Sequence, residues 1–176
     1  MASVLGSIDR TVRALGSLYR TTPLPPGQVV GLVLDAALDR LHPAPVEAPG
    51  TVRRTVGLGL AVAGVGFTAW AVAERRRQTT GSFSLERPEG LVTTGPYAAS
   101  RHPMYLGWWL IHSGVGIFRG SPWTLATLPA GILVEHFGTL WEEKMLRREF
   151  GQSYADYSDR VPRYFDFHCR HSGPLA

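Results

Sequence analysis

A single cysteine, Cys169, in 176 residues excludes an intrachain disulfide and leaves the redox compartment unmarked. No repeat of fixed period and no extended low-complexity tract is present, so a solenoid or array is not expected. The formal net charge is +4, but no basic helix or aromatic-basic platform accompanies it, and nucleic acid is not expected as a partner. The N-terminal stretch lacks the continuous apolar core and small-residue cleavage site of a signal peptide. Ala2 stands where myristoylation needs glycine, and no prenylation box closes the chain. The most informative absence is of charge. The eighteen residues from Val56 to Ala73, "VGLGLAVAGVGFTAWAVA", hold no ionisable group and lie between Arg53-Arg54 and "ERRR". That is about the minimum length for a helix crossing a bilayer.

Overall composition, 44% apolar and 18% charged, suits either a soluble or a small membrane protein, so the distribution of charge decides. Two weaker runs, Met104 to Phe118 and Trp123 to Val134, are separated by the turn-forming "RGSP" and read as a helical hairpin. A fourth segment, Val29 to Leu41, carries Asp35, Asp39 and Arg40; it either spans or lies at the interface, because ionised groups near a bilayer centre are costly unless paired. The stretch from Met1 to Arg20 spaces Val4, Leu5, Ile8, Val12, Leu15 and Tyr19 at helical intervals with arginines between them, the pattern of an interfacial amphipathic helix.

These readings give an all-α fold: a multi-pass helical membrane domain with three or four spanning segments. The first fifty residues hold the amphipathic stretch and the uncertain segment, and residues 51–176 form the main domain. "TTPLPPG" and "HPAPVEAPG" are turns rather than domain boundaries. The loop from Glu74 to Pro103 and the tail after Leu140 hold eleven Lys/Arg against one, Arg119, on the hairpin turn. Positive-inside bias places both on the cytoplasmic side; Arg53-Arg54, then outside, go against that trend. An integral, multi-pass protein of the cell membrane is the expectation.

A polar linker of nearly thirty residues precedes the hairpin. Structureless loops of that length usually have a function, and Leu91-Val92, Tyr97 and its turn signals point to a folded cytoplasmic cap over the hairpin. At its end comes "GPYAASRHPMYLGWW". Pro103 disfavours helical geometry at His102 and suits the first position of a helix, so the helix is expected to begin there. Its free N–H groups and Arg101 would suit a carboxylate, and the rings of Tyr97 and Tyr105 would suit a cation.

Downstream, "EHFGTLWEEKMLRREFGQSYADYSDRVPRYF" opens a charged helix expected to end near Gly151. Glu135 and His136 read as the point where the apolar segment leaves the hydrocarbon. On a helical wheel Glu142 falls in the apolar half with Met145, Leu146 and Phe150, whereas Glu143 borders Arg147 and reads as one half of an ordinary exposed i,i+4 pair.

The two stretches together, "GLVTTGPYAASRHPMYLGWWL" and "EEKMLRREFGQSYADYSDRVPR", resemble the C-terminal signature of the isoprenylcysteine carboxyl methyltransferase and phospholipid methyltransferase superfamily. The match runs from about Glu89 to Arg163. It implies an integral membrane methyltransferase that uses S-adenosyl-L-methionine on a lipophilic acceptor. By the same resemblance Glu89, Gly90, Leu91, Val92, Tyr97, His102, Pro103, Met104, Tyr105 and Glu142 enclose the cofactor. On the residues' own chemistry Arg101 and His102 are the catalytic candidates, with His102 or His136 to take a proton from an amine acceptor, and no metal is expected. Relatives acting on prenylated cysteine carry an arginine shortly before the Glu pair; "VEHFGTLW" has none, which counts against a prenylcysteine carboxylate. The alternatives are a phospholipid N-methyltransferase and a non-catalytic membrane protein that retains the fold.

Overall fold

The computed structural model describes residues 24–44, 46–79 and 90–165. The expected amphipathic stretch, Glu89 and Cys169 lie outside the described residues. Four α-helices are present among those described: α1 (Pro26–Leu41), α2 (Gly50–Arg77), α3 (Pro103–Arg119) and α4 (Thr124–Arg160), with a short 3-10 turn, Gly95–Ala98, between α2 and α3. The fold is all-helical, as expected.

Each boundary has a local cause. Pro26 and Pro103 occupy first helical positions, where the missing N–H costs nothing. α3 ends at Gly120, whose φ of 71° is left-handed; the N–H of Ser121 returns to the Gly116 carbonyl at 3.0 Å, satisfying a terminal acceptor. α4 runs 37 residues, but Gly151 (φ 51°, ψ −124°) interrupts it, so its long first part does end where the sequence indicated.

Packing follows the small residues. α2 lies closest against α3, and α1 against α4. A Cβ at Gly64 would stand 2.5 Å from the Gly107 carbonyl oxygen, and one at Gly114 would stand 2.5 Å from the Ala61 nitrogen. Close backbone approach of this kind is how helices associate where lipid removes the hydrophobic drive. α1 and α4 meet through Gly27 and Gly131.

Only α2 among the described residues is long and apolar enough to cross a membrane, with a mean hydropathy of 1.8 over an 18-residue window. The end of α1 meets the start of α4, where Trp123 Nε1 donates to the His42 carbonyl at 3.2 Å. Arg119 pairs with Asp39 at 2.8 Å, and Arg53 Nη1 donates to the Arg119 carbonyl at 2.9 Å. Arg53, which ran against the charge bias, and Arg119 are therefore engaged with acceptors from other elements.

Between these ends α1, α3 and α4 share a buried polar network. Asp35 is 2% exposed and accepts from Thr124 and Thr127 at 2.6 Å each, with His112 Nε2 at 3.2 Å. His112 Nδ1 lies 2.5 Å from Gln28 Oε1. Gln28 in turn donates its backbone N–H and its Nε2 to Glu135 at 3.2 Å each, and Trp109 Nε1 donates to the same carboxylate at 2.9 Å. Asp35 thus meets the condition under which an acidic residue is tolerated in an apolar setting. Glu135 does not mark an exit to solvent: it is buried, and its three N–H donors come from two other helices.

Candidate functional site

The site lies where the C-terminal end of α2, the 3-10 turn, the N-terminus of α3 and the second half of α4 converge. Tyr97 is buried in the 3-10 turn and Tyr157 donates to its carbonyl at 2.8 Å. Beyond the turn, the N–H of Arg101 donates to the Pro162 carbonyl at 3.0 Å, and Ser100 Oγ donates to the Arg163 carbonyl at 3.0 Å. These bonds fasten the segment after α4 onto the entrance of α3.

A cleft at this junction is lined by Arg75, Gly90, Leu91, Val92, Tyr97, Arg101, Glu142, Leu146, Tyr154 and Tyr157. Of the residues expected around a cofactor, Gly90, Leu91, Val92, Tyr97 and Glu142 are together in it, and Arg101 joins them. His102 is buried at its edge, with Nδ1 3.7 Å from Glu142. Pro103, Met104 and Tyr105 form the first turn of α3 behind His102; the Tyr105 ring stands 5.7 Å from the imidazole rather than lining the cleft. The sequence reading gave no site role to Arg75, Leu146, Tyr154 or Tyr157. Tyr154 carries a signal in the run Phe150-Gly151-x-x-Tyr154 within the second quoted stretch, but Arg75 was legible only as the charge closing an apolar helix.

Burial pushes the Tyr97 phenol up to about 12, against the opposing charge of Arg75, and also pushes up the Tyr154 and Tyr157 phenols. The Arg75 and Arg101 guanidiniums stand near the Tyr97 and Tyr154 hydroxyls. Even so, those two hydroxyls and Arg101 Nε are buried without a well-formed hydrogen bond among the described residues. Buried polar atoms in that condition are complementary to a polar ligand.

The two adjacent glutamates reverse the wheel. The Glu143 side chain is 11% exposed and that of Glu142 35%. Glu143 accepts from Arg163 Nε at 2.9 Å and Nη2 at 2.7 Å, with Arg101 Nη2 at 3.4 Å and His102 Nε2 at 3.2 Å. The expected exposed pair with Arg147 does not form; Arg147 donates instead to Ser158 at 3.3 Å. The physical reason is tertiary: Arg101 and Arg163 arrive from distant sequence and outbid a surface partner four residues away. Burial alone would raise the Glu143 carboxyl, but hydrogen bonds from His102 and Arg163 and the charges of Arg101 and Arg163 bring it down to about 2.

On the far side of His102, Tyr164 packs 4.9 Å from Trp109 and 6.1 Å from the His102 ring, and its hydroxyl lies 3.2 Å from His136 Nδ1. Gly138, one turn before Glu142, faces open space.

A family model described as phospholipid methyltransferase matches residues 52–153. The chain is 29% identical over 111 residues to protein-S-isoprenylcysteine O-methyltransferase B of Arabidopsis thaliana, covering 60% of this chain and 55% of that one. Over 80 residues it is 36% identical to the protein-S-isoprenylcysteine O-methyltransferase of Mus musculus, covering 44% and 28%. It is also 33% identical over 118 residues to the nickel-cobalt-cadmium resistance protein NccN of Alcaligenes xylosoxydans xylosoxydans, covering 63% and 48%. The matched stretches thus span about a quarter to a half of those relatives' lengths. With more than half of its residues matched, the chain belongs to the phospholipid methyltransferase family.

Proposed function

We propose that this protein is an integral, multi-pass membrane methyltransferase that takes its methyl group from S-adenosyl-L-methionine and passes it to a lipophilic acceptor reached from the bilayer. The single observation that carries this is the cleft itself. It brings the carboxylate of Glu142, the buried Arg101 Nε and the Tyr97 and Tyr154 rings into one lining. S-adenosylmethionine offers an ammonium, a sulfonium and a carboxylate, and those residue types are its complements.

When bound, S-adenosylmethionine supplies a methyl group on a sulfonium centre, whose charge is lost on transfer. The chain's own task is to align and to exclude water. Glu142 holds a cationic group, Arg101 an anionic one, and the buried tyrosines dry the wall. His102, at the edge between the cleft and the Tyr164 side, is placed to take a proton from an acceptor that has one to lose. The cleft and the C-terminal end of α4 face the cytoplasm in this reading, where the cofactor is supplied.

For the acceptor, an observation favours a phospholipid amine over a prenylcysteine carboxylate. Arg163 is committed to Glu143 at 2.7 Å, Arg101 lines the cofactor cleft, and Gly138, one turn before Glu142, offers no cationic side chain for an acceptor carboxylate. Calorimetric titration of the detergent-solubilised protein tests the cofactor half of the proposal: S-adenosylmethionine binds, and a non-catalytic protein retaining the fold would show no heat of binding.

A further inference from the structure

We infer that Glu143 is a positioning residue that fixes the tautomer of His102. An ionised carboxylate has acceptors only, so the 3.2 Å contact between Glu143 Oε1 and His102 Nε2 requires the imidazole proton to be on Nε2. Glu143 is held ionised and in place by the two-pronged grip of Arg163 at 2.9 and 2.7 Å and by Arg101. The hydroxyl of Ser100 fixes the other end of the histidine by accepting its backbone N–H at 3.2 Å. In the neutral ring Nδ1 then carries the lone pair and faces Glu142 across 3.7 Å, too long for a hydrogen bond.

Two acceptors consequently face each other at the cleft edge. Such a pair is matched by an amine that donates N–H in two directions, and the Nδ1 lone pair is the one free to take the proton that an amine acceptor must lose on methylation. The tautomer follows from the geometry alone; its consequence for the ligand rests on the cleft being the S-adenosylmethionine site proposed above. The aromatic neighbours Tyr105 and Tyr164 approach it as rings at 5.7 and 6.1 Å and leave the tautomer to Glu143. The motif reader sees two adjacent glutamates; the structure divides their work, one orienting the histidine and one left facing the cleft.

The test is long-range proton–nitrogen NMR on the full chain, labelled with nitrogen-15 histidine in detergent, with the His102 signals identified by their loss in His102→Gln. The wild-type ring in its singly protonated form shows the proton on Nε2 and a pyridine-like Nδ1. In Glu143→Ala the signals move toward the mixed or opposite tautomer. Glu143→Gln, which keeps an acceptor oxygen, and Arg163→Gln, which removes the strongest support without touching the ring, both retain Nε2–H. A wild-type ring protonated on Nδ1, or an unchanged tautomer in Glu143→Ala, overturns the inference; if Glu143→Ala does not fold, the wild-type spectrum alone decides. Titration of the same sample with S-adenosylmethionine separates the two levels. An Nε2–H tautomer without cofactor binding sinks the functional reading and leaves the tautomer standing.

Discussion

Arg163 grips both oxygens of Glu143, whereas Glu142, the next residue back, has among the described residues only His102 Nδ1 at 3.7 Å as an ion-pair neighbour. Substituting each glutamate therefore has a different effect. Glu142→Gln should weaken S-adenosylmethionine binding by about 1.5–3 kcal/mol, the scale of a hydrogen bond to a charged group, with little change in melting temperature. Glu143→Gln should instead lower stability by about 1–3 kcal/mol, less than a fully buried pair would cost because Arg163 is partly exposed. Calorimetry and thermal denaturation of both variants check this; equal losses of affinity with no loss of stability at Glu143 would contradict it.

Because the folded-state value of Glu143 is depressed, its contribution is fully present above the ordinary carboxylate range, about 4.3 for glutamate. It is lost as pH falls toward about 2. The difference in melting temperature between wild type and Glu143→Gln should be constant from neutral pH down to about 5 and should shrink below about 4. A gap that widens on acidification would show the opposite linkage.

Gln28 joins α1 to both other helices of the buried network, so Gln28→Leu, which keeps the backbone N–H, leaves Glu135 without its Nε2 donor and His112 without the Oε1 beside Nδ1. The expected cost is about 2–4 kcal/mol, from leaving buried polar and charged groups unsatisfied. The paired change Gln28→Leu with Glu135→Leu should recover part of it. Denaturation of the single and double variants in detergent measures the coupling; strict additivity would mean that the two residues do not act together.

Topology has its own test. In a protein with Cys169→Ser, a cysteine placed at Ala98 or Gln152 should be labelled only after the membrane is permeabilised, and one at Glu47 should be labelled in sealed cells. Labelling of Gln152→Cys from outside would turn the proposed cleft to the wrong side.

Local signals made much of the fold legible. Pro103 and Gly120 bound α3 by fixed backbone rules, and the charge-free stretch from Val56 to Ala73 marks α2, because each signal acts within a turn or two of chain. What the wheel missed was non-local. It placed Glu143 toward Arg147 because it knew only one helix, while Arg101 and Arg163, 42 and 20 residues away, set its surroundings. The network of Gln28, Asp35 and His112 escaped for the same reason: a polar residue in an apolar run does not name its partner on another helix. Gly90 to Val92, Tyr97 and Glu142 were found through a joint motif, whereas Arg75 and Leu146 carry no motif and are recruited by proximity.

The most direct measurement of the central claim is transfer itself. Purified protein is incubated with methyl-labelled S-adenosylmethionine and extracted lipids, and the organic phase is counted and its product identified. Label should appear in a lipid, as a base-stable N-methyl product, and should fall sharply in Glu142→Gln. A base-labile methyl ester would contradict the amine acceptor, and an unlabelled organic phase from protein that also binds no S-adenosylmethionine would contradict the methyltransferase reading as a whole.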